Sequence, residues 1–184
     1  MVSESKAALR KEMLTKRNAV SEAEIKERSK LIEARLFAIP EFKKAKTVSF
    51  YLSHDSEVNT LEMIRRAVTE RKEVLVPTIS GDDLELVKFT SFEDLAPVKF
   101  GILEPKTKTK PEHLPEVIIT PGLAFDLDLH RLGYGKGYYD RFFKKLSSFN
   151  IGICFDFQIV EKIPRHEHDH RLDLTVSDKR EISL

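Results

Sequence analysis

Three features of this sequence predict an α/β fold: a three-layer α/β/α arrangement with a mainly parallel sheet. From Thr47 onward, β-branched and aromatic runs alternate with helical patterns, the order that builds parallel sheets through crossover helices. Two short runs, EVIITPG and NIGICF, are apolar without alternation, as strands covered on both faces are. Three of the seven glycines, at 133, 135 and 137, stand between a strand-like run and a helical one, where such folds place ligand loops. The 184 residues suit a single domain, 1–184, with residues 1–40 as a helical pair packed on it.

The elements follow in order. SKAALRKEMLTKRNAV reads as a helix starting near Ser5. At about 100° per residue, Leu9, Met13 and Val20 share one face, and Lys6, Arg10 and Arg17 form a stripe beside it. SEAE is a capping box with Ser21 as N-cap; a second helix then runs to about Ala38, and Pro40 follows its end. TVSFYL is a strand, and TLEMIRRAVTERK a helix with Leu61, Ile64 and Val68 on one side. EVLVP is a strand ended by Pro77, and LELVKF another after the turn SGDD. EVIITPG and NIGICF flank the helix YYDRFFKKL, and LTVS is a last strand. Ligands gather at the carboxyl ends of parallel strands, so the loops to watch follow Leu52, Pro77, Thr120 and Phe155.

Composition narrows the functional classes. With 31 basic and 30 acidic residues the net charge is +1, so broad polyanion attraction does not organise this protein and no nucleic-acid partner is expected. The lysines of EPKTKTKPEH read as a solvated loop. No apolar run reaches membrane-spanning length, and the N-terminus is charged, without an apolar signal core. A cytoplasmic protein with no membrane partner, acting as a monomer, is the expectation. Cys154, the single cysteine, has no partner for an internal disulfide and sits in an apolar run, as an inert buried thiol does.

The chemistry concentrates in HRLGYGKGYYDR, His130 to Arg141. Its glycines permit positive φ and let backbone N–H groups approach an anion closely. The following helix start adds partial positive charge, and Arg131, Lys136 and Arg141 add full charges. A phosphate-rich ligand is the natural occupant. The spacing matches neither the dinucleotide fingerprint nor the P-loop. A plain turn between strand and helix is the bland alternative.

These residues, with KAALR at Lys6 to Arg10, EVNT at Glu57 to Thr60, GILEP at Gly101 to Pro105, PGLAFD at Pro121 to Asp126 and HD at His168-Asp169, resemble the 5-formyltetrahydrofolate cyclo-ligase family over most of the chain. The resemblance implies a fold like that of sugar-phosphate isomerases and coenzyme A transferases. It also implies an ATP-dependent, Mg²⁺-requiring cyclisation of 5-formyltetrahydrofolate to 5,10-methenyltetrahydrofolate. By the same resemblance, Lys6, Arg10, Arg131 and the segment Gly133, Tyr134, Gly135, Lys136, Gly137, Tyr138 and Tyr139 bind ATP. Leu52, Glu57 and Tyr134 to Tyr138 border the folate, and Asp140 and Asp169 hold Mg²⁺. Lys136 and Arg131 carry the catalytic charge on the transferring phosphoryl group. The chain departs from the family at Leu129, where glycine is usual. Its extra histidines, His166 and His170, invite a transition-metal reading, but no cysteine is near and no zinc site is expected. Two other readings stay open: a phosphosugar isomerase on a similar fold, and a non-catalytic folate- or RNA-binding homologue.

Overall fold

A computed structural model of the protein describes residues 2–81, 83–98, 101–164 and 169–184. The chain begins with α1 (Val2–Asn18), α2 (Glu22–Leu36), the short α3 (Pro40–Lys44) and β1 (Thr47–Ser49). Next come α4 (Leu61–Thr69), β2 (Glu73–Ser80), β3 (Asp83–Lys88), β4 (Leu95–Pro97), β5 (Leu103–Pro105) and β6 (Val117–Thr120). The remainder is β7 (Ala124–Asp126), β8 (Arg131–Leu132), α5 (Tyr138–Phe143), β9 (Phe149–Cys154), β10 (Ile159–Val160), β11 (Leu174–Ser177) and β12 (Glu181–Ile182).

Seven strands form the main sheet in the order β12-β11-β9-β6-β1-β2-β3. The five inner strands are parallel, and the two edge strands, β3 and β12, are antiparallel. The apolar runs predicted to be covered on both faces are so: β6 is buried throughout, and β9 from Asn150 onward. One face packs against α2 and α4 through Ile32, Leu36, Met63 and Ile64. The other carries α5 and the turn before β8, with Ile118, Phe125, Leu129, Phe142 and Phe143 in contact. A three-stranded sheet, β10-β7-β8, lies on that side. Helix α1 docks there, setting Met13 among Leu123, Ala124, Leu132 and Ile163. The two N-terminal helices therefore serve different layers.

The capping box forms as predicted: Glu24 N–H donates to Ser21 Oγ at 3.3 Å, and Ser21 N–H donates to Glu24 Oε2 at 3.2 Å. Two expectations need correction. Pro77 does not end its strand; β2 continues to Ser80, with Pro77 opposite Leu86. The neighbouring β1 pairs only as far as Leu75, so Pro77 sits at a local edge where its missing N–H costs no ladder bond. The strand expected over TVSFYL is limited to Thr47–Ser49, because Tyr51 C=O accepts the Thr60 hydroxyl at 2.6 Å. Ser53 and Thr60 also exchange backbone-to-hydroxyl bonds at 3.0 and 3.1 Å, closing a loop where pairing would continue. Pro40 follows the end of α2 as expected, and it also opens a short helix of its own at N1, where its fixed φ suits the first turn.

Leu129 stands where the resemblance leads one to expect glycine. Asp126 N–H donates to His130 C=O and Leu129 N–H to Asp126 C=O, closing a short hairpin loop between β7 and β8. Such loops end on a left-handed residue, and Leu129 adopts φ +66°. The backbone thus keeps the glycine conformation without the glycine. The Leu129 side chain is 2% exposed among Phe125, Phe142 and Leu172. Asp126, itself buried, pins the loop by accepting N–H groups of Asp128, His130 and Ile163.

Candidate active site

A cavity of about 840 Å³ opens at the carboxyl ends of β1, β2 and β6, a volume typical of small-molecule sites. The loops after Leu52 and Thr120 contribute to it, while Pro77 and Ile79 reach it from within β2. Every residue that the resemblance assigns to ATP, folate or Mg²⁺ lines it, from Lys6 and Arg10 on α1 to Asp140 on α5 and Asp169 before β11; Arg141 does not. His166 and His168 lie outside the described residues.

One end is cationic. The Arg131 side chain, 4% exposed, donates to Asp140 Oδ1 at 3.1 Å and lies against the rings of Tyr139 and Phe143. Burial lowers its pKa, opposed by Asp140, but a guanidinium stays protonated in proteins. Its Nε–H is buried with no partner among the described residues, a donor left for something else. A Cβ at Gly133 would stand 2.7 Å from Arg131 Nη1, so a side chain there would displace the guanidinium from this position. Arg10 Nε–H donates to Gly133 C=O at 2.8 Å, and its guanidinium lies flat on Gly135, 3.4 Å from where a Cβ would be. Gly135 has φ +101° and Gly137 φ +67°. Lys136 is exposed, with its ammonium 5.9 Å from the centre of the Tyr138 ring. Helix α5 is only six residues long, so its dipole adds little; the loop backbone and these cations supply the positive field.

Lys6 Nζ meets Asp169 Oδ2 at 2.5 Å. Asp140 pairs with Arg131 and Asp169 with Lys6, and both carboxylates line the cavity. No group of three or more metal-binding side chains occurs among the described residues. Two carboxylates lining a cavity beside Lys and Arg side chains would suit Mg²⁺, a hard cation that favours carboxylate and phosphate oxygens.

The other end is a buried carboxylate. Glu57, 12% exposed in its side chain, accepts His54 N–H at 3.1 Å on Oε2 and the Tyr134 hydroxyl at 2.8 Å on Oε1. Leu52 forms an apolar wall beside it, and Pro77, Ile79, Leu84 and Ile102 continue that wall outward. Tyr134 is 54% exposed over its whole surface, yet its hydroxyl reaches inward to Arg17 and Glu57. Burial and the Glu57 charge push its pKa up to about 12, so it works as a neutral hydroxyl. Burial likewise raises Tyr139 and Cys154; Cys154 is buried away from the cavity.

Sequence reasoning placed Arg17 on the Lys6–Arg10 stripe but gave it no role; it lines this cavity with them. The ribbon β4–β5, which adds Leu103 and Glu104 to the wall, was missed because three-residue strands carry no periodic signal.

A Gly-rich loop, convergent cations and a buried carboxylate at the carboxyl edge of a parallel sheet define an α/β enzyme for small anionic substrates. The comparisons are more specific. A family model described as the 5-formyltetrahydrofolate cyclo-ligase family matches residues 2–178. A probable 5-formyltetrahydrofolate cyclo-ligase of Schizosaccharomyces pombe is 36% identical over 164 residues, covering 78% of this chain and 80% of that one. The mouse 5-formyltetrahydrofolate cyclo-ligase is 30% identical, with 94% and 93% covered. The structure of Aquifex aeolicus 5,10-methenyltetrahydrofolate synthetase superposes with a TM-score of 0.85 at 35% identity, covering 97% of this chain and 92% of that one. This chain belongs to the 5-formyltetrahydrofolate cyclo-ligase family, a family of ligases. No described helix is long and apolar enough to cross a membrane.

Proposed function

We propose that the protein cyclises 5-formyltetrahydrofolate to 5,10-methenyltetrahydrofolate, consuming ATP with Mg²⁺ and releasing ADP and phosphate. The observation that carries this reading is one cavity with a carboxylate at one end, cations and a glycine loop at the other, and Tyr134 touching both. A formamide oxygen is a poor leaving group. Its attack on the γ-phosphorus breaks the bond to ADP and yields an N5-iminium phosphate. N10 then adds to the formyl carbon and loses its proton, and the formyl oxygen leaves within phosphate.

The protein aligns the two substrates and stabilises charge on the transferring group. Glu57 accepts hydrogen bonds from the amino-pyrimidinone edge of the pterin, against Leu52. Lys6, Arg10, Arg131 and the N–H groups of residues 133–139 receive the phosphates, and the unpartnered Arg131 Nε–H is a ready donor. Lys136, exposed on the loop, neutralises the moving phosphoryl. Asp140 and Asp169 would hold Mg²⁺, which when bound would supply charge compensation to the phosphates.

The test follows absorbance of the methenyl product with 5-formyltetrahydrofolate. Product should form only with ATP and Mg²⁺ together, and EDTA should abolish it reversibly. Asp140→Asn should raise the Mg²⁺ concentration required, and should weaken Mg²⁺ binding measured calorimetrically with a non-hydrolysable ATP analogue. Turnover without ATP would refute the reaction, and full turnover in EDTA would refute the metal assignment.

A further inference from the structure

Arg17 is 4% exposed in its side chain, which for an arginine requires partners. Its Nε–H donates to Ser56 Oγ at 3.1 Å, and Ser56 Oγ–H donates onward to Asn18 Oδ1 at 2.6 Å. Its Nη2–H donates to the Tyr134 hydroxyl at 2.7 Å, while Nη1 stands 3.8 Å from Glu57 Oε1. The direction of the chain is forced. A guanidinium can only donate and a carboxylate can only accept, so the Tyr134 proton must point to Glu57. Arg17 therefore sets the order Arg17→Tyr134→Glu57.

The helix makes a second hold possible. Arg10 and Arg17 lie seven residues apart, about two turns, and so share a face. Arg10 grips the Gly133 carbonyl, and Arg17 grips the hydroxyl of the next residue. One rigid helix thus clamps the start of the glycine loop on both its backbone and its side chain. Behind this cluster a hole of about 10 Å³ is lined by Arg17, Tyr51, Glu57 and Gln158. Cations flanking buried carboxylates are often mere charge compensation for the fold, but that role needs no bond to a loop tyrosine.

We propose that Arg17 is a positioning residue for the folate end: acting through Tyr134, it holds the Glu57 carboxylate oriented toward the donors of the pterin. The proposal rests on the reading that Glu57 receives the pterin. The guanidinium fork holds Ser56 and Tyr134 at fixed angles, which the single ammonium of lysine cannot reproduce.

The experiment measures KM for 5-formyltetrahydrofolate and for ATP, kcat and melting temperature in Arg17→Met, Arg17→Lys, Tyr134→Phe, Glu57→Gln and the Arg17→Met/Tyr134→Phe double variant. Arg17→Met should raise the folate KM about tenfold, the scale of one charged hydrogen bond, with ATP KM within about threefold. Added to Tyr134→Phe, the same change should cost clearly less, because the chain is already cut. Arg17→Lys, which keeps the charge if the methionine variant does not fold, should restore only part of the folate KM. Equal rises in both KM values, full additivity with Tyr134→Phe, or an unchanged folate KM would overturn the role. Glu57→Gln separates the failures. A normal folate KM in that variant refutes the pterin reading itself; a raised one beside normal Arg17 variants refutes only the positioning role.

Discussion

Two adjacent segments meet the same backbone demand in opposite ways. The hairpin loop before β8 needs a left-handed residue and uses Leu129 at φ +66°; the loop after β8 uses Gly135 and Gly137 at φ +101° and +67°. A left-handed leucine costs about 1–2 kcal/mol of backbone strain, but burying its side chain gains about 1.5–3 kcal/mol. Burial can therefore carry the strain where the side chain reaches a core. Gly135 faces the cavity with the Arg10 guanidinium laid on it, so a side chain there would have no core to enter. Glycine is required where the backbone itself must be approached, and is replaceable where only the φ angle is at stake.

Substitutions at the two segments sharpen this contrast. The largest effect is expected at Gly135→Val, which puts a β-branched side chain at φ +101°, a region essentially reserved for glycine. kcat/KM for ATP should fall about a hundredfold or more, the effect of losing a preorganised phosphate contact, while melting temperature changes little. Lys136→Met should come next. It keeps the loop conformation and removes only charge, so kcat should fall about tenfold to several hundredfold while ATP affinity, measured by calorimetry, falls less. Near-normal kinetics in both would reduce the segment to a turn.

The third comparison is a pair. Leu129→Ala keeps the strain and loses the buried side chain, at a cost of about 2–5 kcal/mol in denaturant unfolding. Leu129→Gly loses the same contacts but relieves the strain, so it should be more stable than the alanine variant by about 1 kcal/mol. Both should leave ATP KM within about twofold. A glycine variant less stable than the alanine one would deny that Leu129 is strained.

The smallest effect concerns pH. The Tyr134 pKa is raised in the folded state to about 12, so folding favours its neutral form. That contribution is complete below about pH 10, the ordinary tyrosine pKa, and is lost as pH rises toward about 12. Tyr134→Phe should therefore lose less stability than the wild type between about pH 10 and pH 12, measured by urea unfolding. Parallel pH curves would show that the hydroxyl is not held between Arg17 and Glu57.

Several parts of the molecule were legible in one dimension. The capping box at Ser21 is a contact between residues three apart, so local sequence contains all of it. The buried strands β6 and β9 announce themselves because a strand covered on both faces has no polar positions. The glycine loop was readable since positive φ and close approach leave few alternatives to glycine. What failed did so where neighbours decide: Pro77 is tolerated because β1 happens to stop beside it, and β1 stops because Thr60, eleven residues beyond, captures the Tyr51 carbonyl.

The sequence by itself determined the fold class, the glycine loop and the resemblance that pointed to the family, because periodicity and short motifs are written in contiguous residues. Only the tertiary structure decided that Arg17 is buried with Tyr134 and Glu57, separated from it by 117 and 40 positions, and that Leu129 can hold a glycine conformation. Both depend on the environment that folding creates. A charge on a helix stripe is solvated or buried according to what packs over it, and a strained residue persists only if the core around it returns the energy.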